Sequence, residues 1–415
     1  MPGPLAHLTV LDLSRVLAGP WCTQLLADLG ATVVKIERPG SGDDTRAWGP
    51  PYLRDAQGRD TSEAAYYLAC NRGKLSVAVD FTRPEGQAII RDLARASDVL
   101  IENFKVGGLA KYGLHYDALR DVNPRLVYAS ITGFGQDGPY AERAGYDFII
   151  QGMSGFMSVT GERDDLPGGG PQKAGIAISD LMTGMYAATA ILAALAHRQR
   201  TGVGQHIDAC LLDTAVAMMG TMNMNYLTTG VAPARAGNAH QNIVPYQVFA
   251  CADGHLIVAV GNDAQFARFC DAAGRPEWES DARFATNAAR VRHRDVLVPL
   301  IADVVRTRAQ RDWLAALEAR GVPCGPINTL DQVFADPQVI ARGLRRDLPH
   351  PRAGHVPQVV APLRFSATPL DFDHPPPLLG EHTGQVLSAR LGMGAERLAS
   401  LAAAGVIAMA GKGPA

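Results

Sequence analysis

Aromatic residues make up only 7% of this 415-residue chain, and neither sign of charge dominates: 39 Lys and Arg stand against 41 Asp and Glu. The missing basic excess excludes a general nucleic-acid binder, which carries one on a face, but leaves room for a local basic pocket that takes one phosphorylated ligand. Cysteine is sparse. Cys22, Cys70, Cys210, Cys251, Cys270 and Cys324 form neither a CxxC pair nor a metal-ligand spacing, so they read as reduced thiols. Eleven histidines contain no HExxH pattern, and no metal is expected. The opening MPGPLAHLTV lacks the basic-then-apolar order of a secretory signal. The longest apolar run, near Met185–Ala196, falls short of the ~20 residues that cross a bilayer. A cytoplasmic protein with no membrane partner is expected. The absence of GxGxxG after the first expected strand counts against nicotinamide chemistry, and there is neither a GxxxxGK[ST] loop nor a GxSxG elbow.

The chain does carry ample apolar residues, 47% in all. It is therefore no disordered chain, and its length exceeds what one core usually fills, so two domains are expected. Leu8–Leu13, Thr32–Glu37, Ser76–Asp80, Asp98–Glu102 and Leu126–Ile131 read as strands, with helical patterns such as Trp21–Leu29 and one opening at Pro84 between them. That alternation predicts an α/β fold, a parallel sheet covered on both faces. Ligands of such sheets bind outside the carboxyl ends of the strands, where Ser14–Pro20, Glu37–Asp44, Glu102–Gly108 and Thr132–Pro139 supply polar or Gly-rich loops. Ser179–Arg200 reads as a long helix with a basic end, which suits the helix dipole. Tyr226–Asn242 loses its period and is taken as a linker. A hairpin within Val244–Gly261, then helices at Asp263–Ala273, Ala288–Val305 and Ala309–Ala319, predict a smaller α+β domain. The expected segments are 1–225, 226–327 and 328–415.

Two stretches could carry chemistry. In GIAISDLMTGMY, Asp180 stands at the expected N-cap of the long helix. It could simply satisfy backbone donors there, or stay ionised beside the dipole and attack an activated acyl group. In Ile131–Gly161, Gly133, Gly135 and Gly138 form either a tight crossover or a cradle of N–H groups, and Asp147 either orients a partner or caps the helix after it. Near the strand ends, Arg38, Arg46, Arg72, Lys74, Asn103, Phe104 and Lys111 are either solvated loop residues or the donors a polyanionic ligand needs.

At RVLAGPWCTQLLADLGATVVKIERPGSGDDTR, NRGKLSVAVD, IENF, GQDGPY followed by GYD, and ISDLMTG, the chain resembles the class III CoA-transferases, from about Leu8 to Leu387. The resemblance implies a Rossmann-like large domain completed by the C-terminal segment, a small domain between, and two subunits interlocked as a homodimer. It implies coenzyme A or acyl-CoA as substrate rather than as a permanently bound cofactor. It makes Asp180 the catalytic residue. CoA contacts fall to Val16, Leu17, Arg38, Arg72, Lys74, Asn103, Phe104 and Lys111, and oxyanion or substrate contacts to Gly135, Gln136, Gly138, Tyr146, Asp147 and Gly261. Two departures from the formyl-CoA transferases, Leu17 for a glutamine and no lysine near Ala144, point away from formate and oxalate. The Val244–Phe266 region looks more like the dicarboxylate subgroup with succinyl-CoA as donor. Racemases of the same superfamily carry a histidine where this chain has Tyr146, and a phenol is a poor base at neutral pH. A third reading is a CoA-binding protein without turnover.

Overall fold

The computed structural model describes residues 3–410. The chain forms two units: Met1–Gly155, Ala174–Gly220 and Val339–Ala415 make the first, Phe156–Lys173 and Thr221–Gln338 the second. The crossings expected at 225 and 327 thus fall at Gly220 and Gln338, and the second unit also takes the short 156–173 segment.

In the first unit, six parallel strands run in chain order as Thr9–Asp12, Thr32–Glu37, Lys74–Val79, Val99–Glu102, Val127–Thr132 and His206–Cys210. Across the sheet they stand third, second, first, fourth, fifth, sixth, which is the doubly wound Rossmann order. A seventh strand, Ile407–Ala408, pairs antiparallel with Val79 and Ala78 and covers that edge. Side chains alternate between faces along a strand, and both faces here are apolar. Leu11, Val34, Val77 and Leu100 pack against the Pro84–Arg95 helix on one face. Val10, Val33, Ile101 and Val127 pack against the helices Ala18–Asp28 and Ile178–Thr201 on the other. Burial on both faces is what made these strands read as continuous apolar runs.

The Ile178–Thr201 helix ends at Gly202, which sits at φ 77° and closes it in the left-handed conformation glycine favours. Among the described residues it is the one helix long and apolar enough to cross a membrane. Its buried positions Thr183, Gly184, Ala187, Ala188, Ile191, Ala194 and Leu195 nevertheless recur at three- and four-residue spacing and face the sheet unit. A Cβ on Gly184 would lie 2.6 Å from the Ala18 carbonyl oxygen, so glycine here lets the two helices meet at the first turn of Ala18–Asp28.

The second unit centres on an antiparallel sheet in the order Cys324–Pro326, Gly254–Ala259, Tyr246–Cys251. Its core is Phe249, Leu256, Val258, Phe266, Phe269, Trp278 and Trp313. The single helix expected over Ala288–Val305 is two, Asn287–Arg292 and Arg294–Val305, because His293 leaves helical geometry at φ −110°, ψ 26°. Two hairpins lack an advance signal, Tyr52–Arg54 with Asp60–Ala64 and Arg345–His350 with Gly354–Val359. Both lie in polar segments without clean alternation.

Candidate active site

Strand order reverses between Thr9–Asp12 and Val99–Glu102, and at such a switch point the loops diverge and leave a crevice. A cavity of about 450 Å³ opens there, walled by the segments after every parallel strand of the first unit. Val16, Leu17 and Ala18 follow the first strand, Arg38, Asp43 and Asp44 the second, Asn103, Phe104, Lys105 and Lys111 the fourth; Gly133, Tyr146 and Asp180 complete the wall.

Asp180 is the third residue of its helix, not the N-cap, which is Ala177. The capping duty falls to Asp147, whose Oδ1 accepts the Ser179 N–H at 2.8 Å and the Asp180 N–H at 3.4 Å. Asp147 thus caps the helix that carries Asp180, while its Oδ2 accepts from Gln151 Nε2 at 2.6 Å. Asp180 itself is half-buried, and no donor among the described residues reaches its carboxylate. Burial, with Asp147 adding like charge, pushes its carboxyl up to about 7. The expectation that the dipole would hold it low is corrected here: desolvation and a neighbouring carboxylate outweigh a term worth about 0.3–1 kcal/mol. Tyr66, which the sequence reading passed over, lies close enough to Asp180 that burial and that carboxylate raise its phenol to about 12.

Arg38, Lys105 and Lys111 are exposed on the cavity wall and have no carboxylate partner among the described residues. Arg15 also lines the wall but is paired, its guanidinium 2.6 Å from Asp44 and 5.3 Å from the Phe104 ring centre. Arg143, beside the position that lacks a lysine, also lines the wall and lies 4.5 Å over Tyr140.

Other expected contacts are corrected. Arg72 is buried, with Nη2 2.6 Å from Asp28 Oδ2 and Nη1 bonded to Gln358 and the Val359 carbonyl. Lys74 is fully buried between Asp12, Asn71 and the Pro20 carbonyl. Arg46 is bonded to Glu37 through two nitrogens. None of these three lines the cavity; each neutralises a buried acid. The proposed oxyanion donors are spent as well. Gly135 N–H bonds Thr132 Oγ1, Gln136 N–H bonds Asp208 Oδ2, and Gly261, in the second unit, donates to Gln265 Oε1. Gly138 lies outside the wall, where Gly133 and Gly145 stand instead, each needed as glycine because their backbones nearly touch. Among the described residues no acceptor is bonded to the N–H groups of Leu17 and Ala18, which open the Ala18–Asp28 helix beside Gly184, one turn beyond Asp180.

Val16 precedes them at φ 69° and is the one non-glycine residue at positive φ among those described. For a β-branched side chain this costs about 1–2 kcal/mol. Sequence alone gives one signal for what holds it, a lysine in the middle of the apolar strand TVVKIE. Lys35 Nζ donates to Asp43 Oδ2 and to the Ser14 carbonyl, both at 2.9 Å, with both charged side chains fully buried. Lys35 and the Thr45 bonds hold the Asp43 carboxyl at about 2 although burial works against ionisation.

The fold and cavity therefore define a doubly wound α/β protein with free cations for a polyanion and a sheltered, unbonded carboxylate. The sequence pattern of CoA-transferase family III matches residues 5–383. Over 93% of this chain and 95% of the relative, the sequence is 54% identical to the succinate–glutarate CoA-transferase of Agrobacterium fabrum. It is 41% identical to the human succinyl-CoA:glutarate CoA-transferase, over 97% and 90%. A solved CaiB/BaiF family protein from Brucella suis superposes with a TM-score of 0.82 at 49% identity, covering 94% of this chain and all of that one. The chain belongs to CoA-transferase family III and is a CoA-transferase.

Proposed function

We propose that this enzyme moves CoA from succinyl-CoA to a second dicarboxylic acid through covalent adducts of Asp180. The observation that carries this reading is Asp180 itself, a half-buried carboxylate without a hydrogen-bond donor on the wall of a cation-rich cavity. Relatives named for succinyl-CoA and glutarate support the choice of acids, as does a relative named for D-citramalate.

Asp180 attacks the thioester carbonyl, forms a mixed anhydride and releases CoA thiolate. The thiolate attacks the aspartyl carbonyl, which frees succinate and leaves an aspartyl–CoA thioester. The acceptor carboxylate attacks that thioester and expels the thiolate again, and the thiolate takes the acceptor's acyl group, which restores Asp180. Each tetrahedral intermediate places negative charge on oxygen near the Leu17 and Ala18 N–H groups, which are fixed before the reaction begins. Arg38, Lys105 and Lys111 hold phosphates, and Phe104 offers a ring face. Both anhydrides hydrolyse if water enters, so a closed site suits this chemistry.

A second copy of the chain would supply that closure. Tyr146, Ile149, Met153, Ile176, Met185, Tyr186 and Leu192 are large apolar residues left exposed in the single chain, and an interlocked homodimer covers such a surface. A cytoplasmic setting accords with the six unpaired, mostly buried cysteines.

Succinyl-CoA assayed against a panel of mono- and dicarboxylic acids tests this reading. Transfer to four- to six-carbon dicarboxylates is expected, and turnover only with monocarboxylates would sink it. The pH dependence follows from Asp180. The nucleophile is the ionised form, so kcat/KM is expected to be flat above about pH 8 and to fall about tenfold per unit below about 7. Asp147→Asn removes the like charge and should move that limb to lower pH, read from full pH–rate profiles of both proteins.

A further inference from the structure

The main chain at residues 14–16 is bonded in an unusual way. Backbone polar groups mostly bond other backbone groups, yet here all six meet side chains, five of them from positions distant in the sequence. Ser14 N–H donates to Asp12 Oδ1 at 2.9 Å, and its carbonyl accepts from Lys35. Arg15 N–H donates to Asn103 Oδ1 at 2.8 Å, and its carbonyl accepts from Asn103 Nδ2 at 2.6 Å. Val16 N–H donates to Asp43 Oδ1 at 3.2 Å, and its carbonyl, 3.6 Å from Cys70 Sγ, is the nearest of three carbonyls, with those of Tyr66 and Tyr67, that share the thiol proton.

The side chains that do this come from four different segments, and two of them, Lys35 and Asp43, are a fully buried ion pair. Strain of the kind at Val16 persists only where the surroundings over-determine the backbone, and it gathers at functional sites. The residues that follow, Leu17 and Ala18, are those whose free N–H groups share a cavity with Asp180.

We infer that Asp43 is a positioning residue for CoA transfer: by gripping the Val16 amide it holds the 14–16 turn in its left-handed path and so aims the Leu17 and Ala18 N–H groups at the oxygen that becomes negative during each acyl step. The inference rests on the proposed Asp180 mechanism and deepens it. Asp43 touches neither substrate nor reacting atoms; it acts through Val16. Asn103, expected as a CoA contact, shares this duty, since its amide oxygen and nitrogen both bond Arg15. Loss of a transition-state donor lowers kcat and leaves KM largely alone.

The test is a two-by-two set in which Asp43→Asn is made in the native chain and in Val16→Gly. Glycine takes positive φ without strain, so a turn built on it has less need of the grip. In the native background Asp43→Asn is expected to lower kcat about 10²-fold, the scale of one lost oxyanion donor, with the KM for succinyl-CoA little changed. In the Val16→Gly background the same substitution should cost less than about tenfold, the signature of coupling between the two positions. Equal losses in both backgrounds, or a loss confined to KM, would overturn the inference. Should Asp43→Asn not fold, Cys70→Ala frees the other end of the Val16 residue without breaking the ion pair, and the same ratio is read from it. Thermal unfolding of all four proteins separates the clamp from the chemistry. If Asp180→Ala still transfers CoA, the mechanism fails, whereas a stability cost of Asp43→Asn that shrinks in Val16→Gly still supports the clamp.

Discussion

Replacing Asp180 with alanine is expected to lower kcat for CoA transfer by about 10⁴-fold or more, because every proposed step forms or breaks a bond to its carboxylate. CoA binding should survive. The cations on the cavity wall, Arg38, Lys105 and Lys111, lie on other segments and do not depend on that side chain for their placement. Equilibrium binding of CoA and steady-state transfer from succinyl-CoA, measured on the same preparation, separate the two effects. Mass spectrometry of native enzyme quenched during turnover should find CoA or acyl mass on the peptide that contains Asp180, and hydroxylamine should convert that adduct to a hydroxamate. Full transfer by the alanine variant would remove the mechanism. Asp180→Asn keeps the shape without the ionisable group. Because burial disfavours the charged form, this variant should also be more stable than native enzyme above about pH 7, where the native protein must hold the ionised acid.

The second large effect concerns stability rather than rate. Arg72→Met should destabilise the first unit by about 3–5 kcal/mol, since it leaves the Asp28 carboxylate buried without its partner. The measurement is a denaturant titration, with a shift in midpoint at unchanged slope. The protein that remains folded should show the native KM for acyl-CoA. A raised KM with native stability would instead return Arg72 to the phosphate-binding set. Arg72→Met/Asp28→Leu, which removes both charges, should recover much of the loss, as replacement of a buried pair by apolar groups often does.

Arg72 and Arg38 also show how far sequence alone could reach. Each is a cation in a loop beside a strand, and nothing local distinguishes them. What separates them is Asp28, 44 residues before Arg72 and packed against it only once the sheet has formed. The strands themselves are legible because periodicity is local: the pattern marks both ends of Thr32–Glu37 and the ends of other parallel strands to within two residues. Their order across the sheet is a matter of long-range pairing and left no mark on the pattern. The stretch ISDLMTG points to Asp180, but the helix dipole alone gives the wrong sign for its ionisation shift. The dipole can be read from the helix, whereas Asp147 reaches Asp180 from 33 positions away. The grip on residues 14–16 was hidden for the same reason, except for the charged Lys35 inside an apolar strand.

The short Ile407–Ala408 strand has a consequence for how the polypeptide emerges from the ribosome. Lys74–Val79 lies at the margin of the six parallel strands, and its outer groups are met by Ile407–Ala408 beside Val79 and Ala78, by the His382 N–H at the Ser76 carbonyl and by Thr383 Oγ1 at the Ala78 N–H. Those partners are translated more than three hundred residues later, after the whole of the second unit. Throughout that interval the nascent chain presents an open, strongly apolar β margin of the kind that invites pairing with a neighbour. The segment that holds His382, Thr383 and Ile407–Ala408 thus acts as a seal, and its arrival marks the moment at which the first unit can complete its sheet.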